Sequence, residues 1–206
     1  SRGLGDVYKR QDNALLRSYV LSPRLGQISA NLLEVSSVRL YHDNVLAKQS
    51  GCGRTPWHFD DHHFPLDTDD VVTAWAPVQP TPVEMGPLSF AYPLDVRKLV
   101  KDVTFEKTGT GYDSEVSKIF SKNNVNVNET PFELGEVSFH HNLCCHTAGG
   151  NYTNISRVVL ANTYYEDGAS IVDKPAMISG DWKKFFPGLD AGQVAKTEMN
   201  PLCWEK

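Results

Sequence analysis

Long apolar runs are missing from this chain of 206 residues: nothing approaches the roughly 18 consecutive apolar residues that a membrane-spanning helix needs. No basic-plus-apolar signal segment opens the sequence. Cysteine is scarce. Cys52, Cys144, Cys145 and Cys203 form no C-x-x-C pair, which excludes a disulfide framework and a structural zinc site. Reduced thiols in a cytoplasmic protein are the expectation. Blocks of Lys or Arg are absent, and 20 basic against 25 acidic side chains leave a net charge of −5, so neither nucleic acid nor a membrane surface is an expected partner. The sequence has no G-x-G-x-x-G, P-loop, G-x-S-x-G or H-E-x-x-H, which removes the common nucleotide-binding, serine-hydrolase and zincin chemistries. Internal repeats and low-complexity tracts are also lacking. An ordinary 40% hydrophobic and 22% charged content excludes a disordered chain, and the length suits one domain able to bury a core without staples.

Histidine is unevenly placed. All seven fall in two windows, His42, His58, His62 and His63 in the first and His140, His141 and His146 in the second. None lies between Phe64 and Phe139. Scattered surface histidines would not cluster this way, so the windows point to a metal or acid–base site.

Along the chain, Ser1 to Gln11 is polar and aperiodic, and reads either as a sequencing or cloning scar replacing a missing native start or as a frayed terminus. Both readings set it aside as disordered and leave 12–206 as a single domain. Ser22-Pro23 predicts an N-cap with Pro at the first helical position, followed by Leu25, Ile28, Leu32 and Leu33 at helical spacing. From Ser37 the pattern turns to β. VRLYHDNVLA carries β-branched and aromatic residues without Pro or Gly, and on a strand His42, Asn44 and Leu46 share a face. Further strands are predicted at VVTAWAPV (71–78, broken by prolines at 77, 80 and 82), PLSFAY, TPFEL, GEVSFHH and SRVVLANTYYEDG. Residues 95–123 are polar and predict a helical insertion, with YDSEVSKIF as one helix. The tail, with Trp182, Phe185, Phe186 and Trp204, reads as packed loops. Many short strands with helices near the N-terminus predict a mainly β fold, a sandwich or jelly-roll barrel with helical decoration.

His58-Phe59-Asp60 is an H-x-D triplet. Residues two apart on a strand point to one side, so an imidazole and a carboxylate converge there. A third ligand from a distant strand, with His146 the best placed, would complete a two-His-one-carboxylate face that leaves coordination positions open, the signature of non-haem Fe(II) oxygenases. Asp60 paired with His62 is the competing D-x-H arrangement. His63, His140 and His141 are expected to line the pocket or support the ligands, and His42 is either pocket wall or a core histidine. Arg157 follows on the next predicted strand, where a guanidinium can take the far carboxylate of a dicarboxylate cosubstrate in a bidentate pair.

VRLYHDNVLAK, TPWHFD, VVTAWAPV, EMGPLSF, GEVSFHHNLCCHTAGGNYTNISR and YYEDGA resemble, in this order, the phytanoyl-CoA dioxygenase family of Fe(II)/2-oxoglutarate-dependent oxygenases, from about Asn13 to NPLCW near the end. The resemblance implies a double-stranded β-helix (jelly-roll, cupin-like) core with His58, Asp60 and His146 as iron ligands and Arg157 anchoring 2-oxoglutarate. It further implies an aromatic beside the cosubstrate at Trp75 and a residue facing it from the first core strand at Asn44. The implied reaction uses Fe(II), 2-oxoglutarate and O2 to hydroxylate an aliphatic C–H of a small-molecule substrate, releasing succinate and CO2. Desaturation and ring closure stay open. An intact Asp60 favours hydroxylation over halogenation, for which related enzymes carry a small residue there. Two departures leave the iron ligands intact and fall where substrate preference could be set: Phe59 stands where Gln is common, and Tyr92-Pro93-Leu94-Asp95 replaces a proline-glycine-serine-histidine. The family's N-terminal helical region is also shortened. The alternatives are a non-catalytic or differently metallated cupin-type protein that binds a small molecule. Neither needs a buried cation after the last ligand, so Arg157 discriminates. Oligomeric state and substrate identity are not encoded in these motifs.

Overall fold

The computed structural model describes residues 4–104, 111–177 and 180–206. In chain order its strands are β1 (Leu4–Val7), β2 (Ser37–Lys48), β3 (Thr55–His58), β4 (Val71–Pro77), β5 (Leu88–Tyr92), β6 (Asn126–Glu129), β7 (Ser138–His141), β8 (Cys145–Ala148), β9 (Arg157–Glu166) and β10 (Leu202–Glu205). Four helices accompany them among the described residues, α1 (Ala14–Val20), α2 (Pro23–Leu33), α3 (Arg97–Val100) and α4 (Gly111–Lys122). None is long and apolar enough to cross a membrane.

Two antiparallel sheets face each other. The larger runs β1-β2-β9-β4-β7 with β10 also on β2, and the smaller runs β3-β8-β5-β6. From β2 to β9 successive strands alternate between the sheets, with the β5–β6 hairpin the exception among the described residues. This is the double-stranded β-helix, the jelly roll expected from the sequence. Its logic is visible in β4, which is buried along its whole length between β9 and β7. Val72 and Ala74 pack toward the helices, while Thr73 and Trp75, one residue out of phase, face the interior between the sheets.

Ser22 occupies the N-cap of α2 with Pro23 at the first helical position, as the sequence predicts. The buried stripe differs from the predicted one. Leu25, Ser29, Ala30 and Leu33 face the core, and Leu32 is 58% exposed. Small residues decide this: a Cβ on Gly26 would sit 2.7 Å from the Cys203 carbonyl oxygen, so the helix seats on β10 through its Gly26–Ser29–Ala30 side. The polar insertion is helical, with Tyr112, Val116 and Phe120 of α4 at i, i+4 and i+8 packed against Trp57 and Cys145 of the smaller sheet. Part of that insertion, residues 105–110, lies outside the described residues.

Three further differences concern local pairing. The strand expected at TPFEL is displaced to Asn126–Glu129. Pro131 offers no N–H to a ladder, and Phe132 keeps only a bridge to Thr81. The tail is not wholly loop, since β10 pairs with β2. The N-terminal stretch, set aside as disordered, has an ordered place: Leu4–Val7 pairs with Asn44–Ala47 of β2, and Arg10 is buried in an ion pair with Asp43.

Candidate functional site

β3 and β8 are antiparallel neighbours in the smaller sheet, and His58 and His146 are register partners. Their rings lie with centroids 4.1 Å apart. Each is oriented by its own strand: the Nδ1–H of His58 donates to the Pro56 carbonyl at 2.8 Å and that of His146 to the Cys144 carbonyl at 2.9 Å. This tautomer leaves an Nε2 lone pair on each ring, turned toward the interior. Asp60 does not come from the strand. β3 ends at His58, residues 61–63 form a 3-10 turn, and the Asp60 N–H donates to the Asn142 carbonyl at 2.9 Å. The carboxylate still arrives at the same point, its Oδ1 3.7 Å from both Nε2 atoms. The three potential ligand atoms lie within 4.8 Å of one another. Two imidazoles and one carboxylate, open on one side, are a donor set that fits a divalent first-row metal such as Fe(II).

Asp60 Oδ2 is held apart from this face. His140 Nε2 is 3.3 Å from it, and Thr73 Oγ1 donates to it at 3.5 Å. Burial alone would raise the Asp60 carboxyl, but His146, His140 and His58 around it hold it well below the usual carboxylate range. Asp60 is therefore anionic at neutral pH. Burial, followed by the neighbouring His58, pushes His146 well down, so its ring is neutral and able to ligate.

The remaining histidines divide. His62 sits on the exposed side of the turn with its Nε2 3.8 Å from Asp61, so the Asp60–His62 pair is not formed. The two-residue period that suggested it lapses where the strand stops. His42, His63 and His140 line the interior cavity. His141 does not: its Nδ1 accepts from the Leu143 N–H at 3.1 Å and braces the turn that leads into β8.

Arg157 opens β9 and is 4% exposed. Its Nη1 donates to the Gly86 carbonyl and its guanidinium lies 5.3 Å from the centre of the Trp75 ring. Among the described residues it has no carboxylate partner, and its Nε is buried without a hydrogen bond. Burial lowers its pKa to about 10. A buried guanidinium with a free donor and no counter-charge is a site prepared for an anion. Gly86 holds it in place at a backbone φ of 74°, where an added Cβ would overlap the Gly149 carbonyl.

Lys48, which the sequence reading passed over, is the register partner of Arg157. It is 5% exposed, and its Nζ donates to Gly149 O at 2.7 Å and Thr55 Oγ1 at 3.1 Å. Burial, then the charge of Arg157, pushes it down to about 8. The signal for it was present, because position 48 continues the 42, 44, 46 series on the inward face of β2.

A cavity of about 360 Å³ joins these groups, with Arg157 and Trp75 at one end, the His58–Asp60–His146 cluster in its wall, and Tyr41, Phe64 and Phe185 at the other end. Asn44 also lines it, its Nδ2 3.0 Å from His42 Nε2. Phe59 and the Tyr92–Asp95 segment, the two departures from the family pattern, do not line it. Phe59 is buried on the opposite side of the smaller sheet against Trp57 and Tyr112, and Tyr92 to Asp95 is exposed.

The sequence model of the family described as Phytanoyl-CoA dioxygenase (PhyH) matches residues 5–159, a span that holds all four of His58, Asp60, His146 and Arg157. No curated protein matches the chain. Among solved structures, it is similar to the non-heme alpha ketoglutarate dependent carbocyclase SnoK from nogalamycin biosynthesis, at 23% identity and a TM-score of 0.77 over 98% of this chain and 76% of that one. The epimerase SnoN, in complex with Fe3+, alpha ketoglutarate and nogalamycin RO, follows at 21% and 0.74 over 97% and 77%. EctD from S. alaskensis, with 2-oxoglutarate and 5-hydroxyectoine, is similar at 12% and 0.68 over 94% and 67%. At these identities the likeness is one of fold.

Proposed function

Because the chain belongs to the phytanoyl-CoA dioxygenase family, we propose that it is an Fe(II)- and 2-oxoglutarate-dependent dioxygenase that hydroxylates an aliphatic C–H of a small organic substrate. The observation that carries this reading is the pairing, in one cavity, of an open His58–Asp60–His146 face with a buried guanidinium that lacks a counter-ion among the described residues. In this reading His58, Asp60 and His146 hold the iron, with Asp60 offering Oδ1 alone because His140 and Thr73 engage Oδ2. Arg157 takes the far carboxylate of 2-oxoglutarate and Lys48 adds positive potential behind it. Trp75 walls the same end and Asn44 faces it from β2. Bound together, iron and the keto acid supply an O2-dependent oxidation that releases succinate and CO2 and places a hydroxyl on the substrate. The chain's own part is to fix these groups on strands, to leave coordination positions open, and to keep water out with apolar walls. The carbocyclase and epimerase among its structural relatives show that this fold hosts other outcomes. The intact Asp60 supports hydroxylation over halogenation.

Anaerobic addition of Fe(II) and 2-oxoglutarate tests the proposal. A weak visible charge-transfer band is expected, with succinate released once O2 is admitted. No band and no succinate across a panel of neutral and charged substrates would refute it.

A further inference from the structure

Along β2 the cavity wall changes character. His42, Asn44 and Leu46 face inward, and Lys48 to His42 spans about 20 Å of strand at ~3.3 Å per residue. One end of that span is cationic, with Lys48 and Arg157. The other is aromatic: Tyr41 meets Phe64 edge-on with centroids 4.9 Å apart and stacks on Phe185 at 5.1 Å, while His42 lies 5.6 Å from Phe185. His42 is neutral at physiological pH because burial lowers its pKa to about 4, and its Nε2 is already engaged by Asn44. Apart from histidines, the ionisable groups among the described residues lining the cavity that are charged at neutral pH are Asp60 and Arg157. The first belongs to the proposed iron face and the second to the cosubstrate. Among the described residues lining it, the aromatic end holds no carboxylate, guanidinium or ammonium group to neutralise a charge on a substrate, His63 being its other titratable side chain.

Size points the same way. About 360 Å³ lies at the low end for small-molecule pockets (roughly 300–1,000 Å³), and the keto acid shares it. We infer that the part of the substrate presented to the iron is a compact, uncharged, hydrocarbon-rich group no larger than a single ring, packed against Phe64 and Phe185, with any charged or bulky part left outside the cavity. This inference rests on the proposed function, since it assigns the cationic end to 2-oxoglutarate.

Three probes of one skeleton test it: cyclohexanecarboxamide, cyclohexanecarboxylate and cyclohexylmethylammonium, each titrated anaerobically into protein loaded with Fe(II) and 2-oxoglutarate. The shift of the charge-transfer band reports binding, and succinate release under O2 reports productive placement. The neutral amide is expected to bind at least about tenfold more tightly than either ion, because an unpaired charge surrenders its hydration to that wall without return. Phe185→Asp is expected to bring the ammonium probe to within about threefold of the amide, and Phe64→Asp serves the same purpose if the first variant fails to fold. Equal or tighter binding of either ion to the wild-type protein, binding of none of the three, or an unchanged order in the folded variant overturns the inference. Absence of the band before any probe is added refutes instead the function on which it rests.

Discussion

Replacing Arg157 by Met separates the role proposed for this residue at the cosubstrate from what it does for the fold, because the two effects have opposite signs. Among the described residues its buried guanidinium has no carboxylate partner, and its Nε is without a hydrogen bond. The lowering of its pKa to about 10 corresponds to a burial cost on the order of 3 kcal/mol at about 1.4 kcal/mol per unit. The folded-state value lies below the unfolded one, so this cost is present at neutral pH and is relieved only as pH rises past about 10. Methionine has a similar reach and removes the cost. It forfeits the bond to the Gly86 carbonyl, worth about 1 kcal/mol, and the contact with Trp75, worth about 1–2 kcal/mol. The 2-oxoglutarate-free protein should therefore melt within a few degrees of the wild type, or above it. Cosubstrate binding should fall steeply. Two charge-assisted bonds at the lower figure of about 1.5 kcal/mol each make about 3 kcal/mol, or about 100-fold in Kd. Thermal melts of the metal-loaded protein without 2-oxoglutarate, beside anaerobic calorimetric titration with it, read both quantities. A variant that loses several degrees of Tm yet binds 2-oxoglutarate within threefold of wild type would show Arg157 to be a structural cation and refute the reasoning.

His140→Phe removes a donor from Asp60 Oδ2 and should weaken metal binding about 10- to 100-fold, with His140→Gln recovering most of it; Mn(II) titration of the metal-free protein measures this, and equal affinity in all three proteins would exclude the role. Lys48 loses its proton near pH 8, so 2-oxoglutarate affinity should weaken between pH 7 and 9 in the wild type and stay flat in Lys48→Met; parallel profiles would show that Lys48 does not contribute. Gly86→Ala combines a left-handed φ of 74° with an overlap on the Gly149 carbonyl and should cost about 3 kcal/mol, seen as a lower denaturation midpoint; an unchanged midpoint contradicts the close approach.

The long strands were legible because burial on both faces of a central sheet selects β-branched and aromatic residues, as in VVTAWAP and VVLANTYY. β8 and β10 were not, being four residues each with cysteine and charge where such a pattern would stand. The grouping of His58, Asp60 and His146 was legible from residue types together with the family resemblance of their flanks, but its local geometry was not. Asp60 enters from a turn, and the end of the strand at His58 is what turns His62 outward. Phe59 shows a rule overridden by analogy. A residue between two inward-facing ones points away from the site, and family habit suggested otherwise. Lys48 shows the converse, since the alternation along β2 reaches it and only its position at the strand's end concealed it.

His58 and His146 take their orientation from main-chain carbonyls two residues behind them. Every amino acid supplies a carbonyl, so the side chains at Pro56 and Cys144 have no vote in how the imidazoles stand. The reactive core is thus insulated from mutational drift at its own flanks, while the aromatic wall facing it is built from side chains alone and is free to vary. In such an arrangement lineages can exchange what is oxidised many times over without rebuilding the means of oxidation.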